Sequence, residues 1–286
     1  PTPTPRPTAT PTPQPRGTLL SQIPTPAPTP TPTGRVLTVS AERSRGNYRT
    51  IAEAMNKARS GDTVQVHPGV YREQVTMKSG VTLSGTNRDN CIIEWTGSGP
   101  AIRISPGTIG IIVENLTIDG RSMALNDGVL FDRAIGTIRN CIIRNFREDG
   151  VWVTGAGSFV LLNENAILQN HLAGLRVSNG SLTFAIANSI EHNQGSGVIV
   201  NDSSTAYLTN NRGENNQRFG IWVDEAGGAQ VIDEDNTLTG SLGVIYYQRA
   251  GATPPAMPTA TPTPRPTATP TPRAAAPTRV SATPTP

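Results

Sequence analysis

The hydrophobic pattern of the chain is dominated by a four-residue phrase, in which a glycine is followed by two apolar residues separated by one variable position. Five copies are present: Gly150–Val153, Gly174–Val177, Gly197–Val200, Gly220–Val223 and Gly243–Tyr246. Their glycines are 24, 23, 23 and 23 residues apart. A fixed period of this size is typical of stacked-repeat proteins, in which each repeat packs only on its neighbours. The pattern therefore predicts a solenoid.

Asparagine recurs with almost the same period. Successive members are 25, 25, 25, 23 and 23 residues apart, at Asn90, Asn115, Asn140, Asn165, Asn188 and Asn211. The last four are each followed, five residues later, by a second asparagine: Asn145, Asn170, Asn193 and Asn216. Because asparagine tolerates left-handed backbone and bonds to its own turn, we interpret both series as corner residues whose amides stack from coil to coil. The coils then begin well before Gly150.

The coil length and one helical segment complete the prediction of architecture. A coil of 23 residues is too short for helical crossovers, so parallel pairing must come from successive coils stacked about 4.8 Å apart. Counting from Val75, about seven coils fit. Apolar residues at helical spacing between Arg49 and Arg59 predict one amphipathic helix, ended by Ser60-Gly61. We expect this helix to cover the open edge of the first coil.

Four segments around this helix carry a resemblance to a known family. They are Tyr48–Ala58, Gly61–Val66, Pro68–Glu73 and Ser79–Gly85. Together these roughly 40 residues resemble the opening of the pectin lyase-like superfamily, where a capping helix leads into a right-handed parallel β-helix. The resemblance implies an all-β fold, a single-stranded right-handed parallel β-helix of about seven coils with one N-terminal capping α-helix. It implies no particular activity, because the same opening precedes many proteins with no known reaction.

Composition sets the predicted domain boundaries. Residues 1–33 contain 12 of the 26 prolines and residues 251–286 contain another 11, mostly alternating with threonine. Such segments bury too little apolar surface to fold, so both are predicted to be disordered Thr/Pro-rich linkers, with the β-helix domain at residues 34–250. A small apolar island interrupts the first linker, at Leu19, Leu20 and Ile23, and the pattern gives it no role.

Charge and hydropathy exclude two classes of partner. The linkers carry five arginines and no acidic residue, so removing them from 24 basic residues leaves 19 against 21 acidic ones in the centre. The basic balance therefore belongs to the linkers, and we predict no nucleic-acid binding. No apolar run of 18 residues exists, so no membrane span is expected. Thr-Pro spacers on both sides favour an extracellular or cell-surface module cut from a longer chain, with an intracellular disordered flank as the alternative.

The two cysteines are predicted to be free thiols. Cys91 and Cys141 each follow a periodic asparagine, two coils apart. Two coil spacings of 4.8 Å amount to about 9.6 Å, beyond the reach of a disulfide. We expect them to serve as packing residues.

The variable residue of each phrase should point outward, since side chains alternate along a strand. A related phrase, Gly128–Phe131, adds Leu130 to the five copies. The predicted outward column is Leu130, Trp152, Arg176, Ile199, Trp222 and Ile245. An apolar and aromatic column on a surface implies a partner. Trp152 and Trp222 could stack on sugar rings and Arg176 could pair with a uronate carboxylate. The alternative is that a neighbouring domain, a loop or another chain covers this face.

Acidic residues give two further candidate sites. Asp127 and Asp149 precede glycines of adjacent coils, with Glu148, Arg133 and Arg147 close in sequence, and paired carboxylates about 5 Å apart could act as acid and base or nucleophile. The alternative is a set of solvated surface charges. If the protein is an enzyme, its candidate catalytic residues are Asp127, Glu148, Asp149 and Arg176. Asp202, Asp224 and Glu225 supply hard oxygen ligands that could hold Ca²⁺, again with solvated turns as the alternative. No other cofactor is expected.

Missing motifs decide the functional prediction. The activity-defining blocks of pectin methylesterases, polygalacturonases and pectate lyases have no counterpart, and most corners are too short to build cleft walls. The sequence therefore predicts a secreted or cell-surface, non-catalytic module that binds polysaccharide or a neighbouring surface through the Trp/Arg face. The alternative is a carbohydrate-active enzyme, a polysaccharide lyase or glycoside hydrolase acting on acidic glycans. A pure spacer or adhesin stalk is the third possibility.

Overall fold

The computed structural model describes residues 34–42, 46–122 and 126–249, which all fall within one compact unit. The predicted linkers, 1–33 and 251–286, lie outside the described residues. Within the described part, the structure contains one α-helix, α1 (Ile51–Lys57), and one single-turn 3-10 helix (Glu225–Gly227). No helix of this part is long and apolar enough to cross a membrane.

The rest of the described chain forms three parallel sheets. Sheet A contains, in order, β1 (Val36–Val39), β2 (Thr63–Val66), β5 (Thr82–Gly85), β8 (Ile111–Glu114), β11 (Ile135–Arg139), β14 (Phe159–Asn163), β17 (Leu182–Ile186), β20 (Thr205–Thr209) and β23 (Gln230–Glu234). Sheet B contains β3 (Gly69–Tyr71), β6 (Cys91–Glu94), β9 (Thr117–Asp119), β12 (Ile142–Arg144), β15 (Ala166–Leu168), β18 (Ser189–Glu191), β21 (Arg212–Asn216) and β24 (Thr237–Gly240). Sheet C contains β4 (Val75–Thr76), β7 (Ile102–Ile104), β10 (Val129–Asp132), β13 (Val151–Thr154), β16 (Leu175–Ser178), β19 (Val198–Val200), β22 (Phe219–Val223) and β25 (Gly243–Tyr247).

From β2 onward each strand pairs with the strand three places along the chain, so the chain visits sheets A, B and C in turn and then repeats, while β1 pairs with β2. This is the predicted right-handed parallel β-helix, and the fold prediction is confirmed. The number of coils is about nine rather than seven. The prediction counted from Val75 and missed that β1 and β2 already pair in sheet A.

Helix α1 closes the first coil, as predicted. Its apolar face, Ile51, Ala54 and Met55, is buried, and the helix packs on β1, β2 and β4. Thr50 and Glu53 form a capping box at its N-terminus. The carboxylate of Glu73 accepts hydrogen bonds from the backbone N–H groups of Ile51 and Ala52, both at 2.8 Å. A segment from the next turn of the chain thus supplies the negative charge that a helix N-terminus favours.

The asparagine ladders are present, but the predicted register is one residue off in the early coils. In the first ladder each amide oxygen accepts the side-chain N–H of the asparagine one coil earlier, through Asn165, Asn188, Asn211 and Asn236. Asn140 is aligned with Glu164 of the next coil. Cys141, rather than Asn140, is therefore aligned with the ladder residue Asn165. A second ladder joins Asn170, Asn193 and Asn216.

The left-handed corner residue lies one position before each ladder asparagine. Glu164, Ala187 and Asn210 have φ between 55° and 56°. Asn115, Asn140 and Asn145 are themselves left-handed, with φ of 55°, 48° and 63°. Asparagine therefore has two separate roles: it is a left-handed corner at positions such as Asn115, Asn140 and Asn210, and a buried ladder amide in the later coils. The spacing of asparagines in the sequence does not distinguish these two roles.

Both cysteines are free and buried, as predicted. They share one column with Leu116. Ile92, Thr117 and Ile142 are aligned in successive coils, so the residues directly before them, Cys91, Leu116 and Cys141, are aligned as well. In the next coil the ladder residue Asn165 takes the same place in the column, and its Oδ1 accepts the backbone N–H of Cys141. Burial raises the pKa of the Cys141 thiol to about 12. These thiols are packing residues of the core.

Candidate functional site

The outward column of sheet C is the surface on which the binding prediction depends. Register places Arg103, Leu130, Trp152, Arg176, Ile199, Trp222 and Tyr246 one above the other in successive coils. Trp152, Arg176 and Trp222 are therefore in one column, partly exposed, as the sequence predicted. Trp152 and Trp222 are three coils apart, which is about 14 Å at 4.8 Å a coil.

The last member of the column differs from the prediction. Trp222 pairs with Tyr246, whereas Ile245 pairs with the buried Ile221 and packs against the core. The last coil is one residue out of phase with the glycine phrase, because Gly243 pairs with Phe219 rather than with Gly220. Tyr246 stacks on Phe219, with ring centroids 4.8 Å apart.

The two indoles of the column are held differently. The Nε1–H of Trp152 donates to Ser178 Oγ at 2.8 Å, one coil further on, and Ser178 in turn donates to Thr154. This bond fixes the ring of Trp152 across the sheet. Trp222 Nε1 is buried and has no hydrogen-bond partner among the described residues. The residue at the position equivalent to Ser178 is Gln248, directly after β25.

Arg176 is held by an acidic residue of the preceding coil. Its Nε donates to Asp149 Oδ2 at 2.5 Å, and its Nη2 lies 3.5 Å from Asp149 Oδ1. The arginine side chain is 27% exposed and that of Asp149 only 4%. Asp149 Oδ1 also accepts the backbone N–H of Ala173 at 2.8 Å. Much of the charge of Arg176 is therefore already balanced within the protein.

Asp127 lies beside this pair. Its Oδ1 accepts the backbone N–H of Asp149 at 3.1 Å, and the residue is 5% exposed. Burial, and then the negative charges of Asp149 and Glu148, raise the pKa of Asp127 to about 7. Burial also raises the pKa of Asp149, while Arg176 opposes that change. Asp127, Asp149 and Arg176 thus form one cluster, called here the acidic corner.

The four residues predicted for acid–base chemistry, Asp127, Glu148, Asp149 and Arg176, differ in their exposure to solvent. Asp127 and Asp149 are not solvated surface charges, because burial excludes water from both carboxyl groups. Glu148 is exposed. The sequence places Asp127 and Asp149 before glycines of adjacent coils but does not predict their burial; both glycines are tightly packed against the coils next to them. A Cβ at Gly150 would lie 2.5 Å from Ile167 Cγ2.

Two of the three residues considered for Ca²⁺, Asp224 and Glu225, have other side-chain contacts. Asp224 caps the single-turn 3-10 helix, with its Oδ1 accepting the N–H of Gly227. Glu225 lies 3.3 Å from Arg249, and Asp202 has a left-handed backbone with φ of 52°. In residues 34–42, 46–122 and 126–249, no group of three or more histidine, cysteine or acidic side chains is arranged to hold a metal ion.

Sequence reasoning missed two features of the surface. One is Arg103, which belongs to the outward column two coils before Trp152. The other is the outer face of sheet A, where Phe184 contacts both Phe159 and Tyr207. Alternation along β14 does not reveal this face, because outward and inward positions of that strand are both apolar apart from Asn163. A groove of about 400 Å³ on sheet B, beside exposed Arg212 and Glu214, is remote from both.

The class defined by this architecture is the right-handed parallel β-helix. Residues 79–253 match the family model described as the right handed beta helix region, which is more than half of the chain, so the protein belongs to this family. A search of curated proteins found no match.

Solved structures similar to this chain include three carbohydrate enzymes. Pectin methylesterase PemA from Erwinia chrysanthemi has 14% identity, covers 77% of this chain and 91% of its own, and gives a TM-score of 0.48. Pectin methylesterase from carrot has 14% identity, covers 78% and 90%, and gives 0.44. The alginate lyase from Paenibacillus sp. str. FPU-7 has 14% identity, covers 75% and 98%, and gives 0.44.

Proposed function

We propose that this β-helix is an extracellular or cell-surface module that binds polysaccharide through the outer face of sheet C, with Trp152, Arg176 and Trp222 as contact residues. The observation that supports it is their alignment in one partly exposed column on an open sheet. Indole faces suit the apolar faces of sugar rings, while the partly exposed guanidinium of Arg176 offers hydrogen bonds to hydroxyl groups.

The column favours a polymer over a monosaccharide. From Arg103 to Trp222 it spans five coil spacings, about 24 Å along the axis. The partly exposed residues are therefore spread along this length rather than gathered at one point. Since Asp149 balances Arg176, Arg103 is the better partner for an acidic sugar: no ion pair joins it to an acid within the described residues.

The test is a glycan array followed by titration calorimetry on the best ligand. Trp152→Ala and Trp222→Ala should each weaken binding about tenfold or more, because each removes a stacking surface. Tyr207→Ala is the matched control, an aromatic truncation on sheet A that should leave affinity unchanged. If binding survives the loss of both tryptophans, another surface holds the glycan.

A second candidate function has one specific observation in its favour. The acidic corner holds one carboxyl with a pKa of about 7 beside a second that pairs with Arg176, a combination suited to general acid and base chemistry. Against it, both carboxyls are buried and their oxygens already accept backbone N–H groups. Product assays on uronate polymers separate the two: a turnover abolished by Asp149→Asn would make this protein a polysaccharide lyase or hydrolase.

A further inference from the structure

The outer face of sheet A carries an apolar surface that the proposed function does not use. Its central column takes one residue from each strand: Val36, Thr63, Thr82, Ile112, Thr137, Leu161, Phe184, Tyr207 and Ile232. Threonines interrupt its first part, and the continuous apolar run begins at Leu161. Phe159 and Leu182 form a second column beside it. Contiguous apolar patches of this kind on a surface mark a place where something docks.

The partner of this face should be apolar rather than a sugar. Phe184 stacks flat on Tyr207, with centroids 4.6 Å apart and planes 6° apart, and Phe159 lies tilted against Phe184 at 5.5 Å. Phe184 is consequently 7% exposed, so its ring faces are not available as a stacking platform. What remains for a ligand is a layer of aliphatic groups and ring edges, which aliphatic side chains cover well.

The chain itself contains a segment with matching chemistry. Within residues 1–33, all large aliphatic side chains are gathered at Leu19, Leu20 and Ile23, in a run otherwise made of threonine, proline and small or polar residues. Large aliphatic side chains are not needed in a spacer that is surrounded by water.

The tether has the length and the starting point that this contact requires. Ten residues, 24–33, join the segment to Gly34, and at about 3.1 Å a residue in a proline-rich chain they span about 31 Å. Gly34 lies two residues before Val36, at the start of the central column. In the sheet order β14 is five strands from β1 and β17 is six, about 24 and 29 Å away.

Exposed aliphatic groups mark the route between the two. Val36 is 48% exposed, Ile109 is 54% exposed and Ile135 is 41% exposed, and Ile135 pairs with Phe159. Val36 lies in β1, Ile109 lies just before β8, and Ile135 lies in β11, so the three are spaced along the sheet between its first strand and Phe159. We propose that residues 17–23 dock in cis on the outer face of sheet A, over Phe159 and Phe184, and so close the apolar surface of this β-helix.

A photo-crosslinker in place of Phe159 tests this on the full chain. We expect benzoylphenylalanine at position 159 to form a crosslink within the monomer, which peptide mass spectrometry assigns to residues 17–23. The same group at Thr237, on sheet B, is the control and should not capture this segment. Circular dichroism of each variant confirms that the β-helix is intact.

Two changes in the linker make the result decisive. Leu19→Ser, Leu20→Ser and Ile23→Ser together should abolish the crosslink at 159, because the aliphatic contact is gone. Deleting residues 24–29 keeps the apolar segment but shortens the tether to about 12 Å, which should also abolish it. A crosslink to any other segment, a crosslinked dimer through position 159, or a crosslink unchanged by both variants would overturn the proposal. Glycan affinity tests the proposed function separately, since it concerns sheet C.

Discussion

Arg176 and Asp149 lie in neighbouring coils, and the guanidinium Nε of Arg176 is 2.5 Å from Asp149 Oδ2. The carboxylate is almost fully buried, whereas the arginine side chain is 27% exposed. The pair therefore serves two ends: it keeps an anion under the surface of the β-helix, and it fixes the arginine beside Trp152 in the outward column.

Arg176→Ala should destabilise the protein, because it leaves a buried carboxylate without its partner. Breaking a fully buried pair costs about 3–5 kcal/mol, and the partial exposure of Arg176 lowers our expectation to about 2–3 kcal/mol. Urea unfolding at pH 7 measures this. Arg72→Ala, which breaks the exposed pair with Glu94, is the control and should cost at most about 1 kcal/mol. Adding Asp149→Asn to Arg176→Ala should recover most of the loss; a further loss would contradict the explanation.

Asp127 should make stability depend on pH. Its pKa is about 7 in the folded protein and about 3.9 in an unfolded chain, so the folded state binds the proton more tightly. This contribution is fully present below about pH 4, declines as the pH rises from 4 to 7, and is lost above 7. The decline should be of the order of a few kcal/mol. Asp127→Asn should flatten the curve of unfolding free energy between pH 4.5 and 8, whereas Asp132→Asn, at the partly exposed pair with Arg133, should not.

The period of the glycine phrase was sufficient to predict the stacking and the outward column, because register in a β-helix follows directly from coil length. The predicted register was wrong at Tyr246 and in the early asparagine series, because a coil that is one residue longer or shorter shifts the pairing of its strands. A spacing of 25 between Asn140 and Asn165 looks regular in sequence, yet the paired strands are 24 apart.

The chemistry of the acidic corner could be predicted only in part. Sequence places Asp127 and Asp149 in adjacent coils, but their burial depends on how closely the corner packs on Ile143, Ile167 and the coils next to it. The outer face of sheet A was missed for another reason. In β14 its apolar residues alternate with the apolar core residues Val160 and Leu162, and in β17 the buried Thr183 lies between the outward Leu182 and Phe184, so hydrophobicity does not indicate which side is buried.

The amide ladder should be one of the most sensitive parts of the core. Asn188 is fully buried; its Oδ1 accepts two N–H groups of Asn165, and its Nδ2 donates to Leu162 O and Asn211 Oδ1. Asn188→Ala leaves several buried groups unpaired at about 1–3 kcal/mol each, so we expect a loss of about 3–5 kcal/mol in urea unfolding. Asn163→Ala, on the outer face of sheet A, should stay within about 0.5 kcal/mol. Equal losses in the two variants would show that the ladder is dispensable.

The contact between Glu73 and α1 should determine whether the capping helix forms at all. A helix of seven residues is too short to be stable alone in water, so α1 depends on its packing and on its caps. Glu73→Ala removes the acceptor of two N–H groups and a favourable charge, at a cost of about 1–2 kcal/mol. Hydrogen exchange at Ile51–Lys57 should then accelerate about tenfold, while exchange in β14 and β17 stays unchanged, because the loss is local to the first coil. Glu53→Ala, which removes longer and more exposed bonds to Arg49 and Thr50, should have the smaller effect. If Glu53→Ala accelerates exchange as much as Glu73→Ala, the capping box rather than Glu73 holds the helix in place.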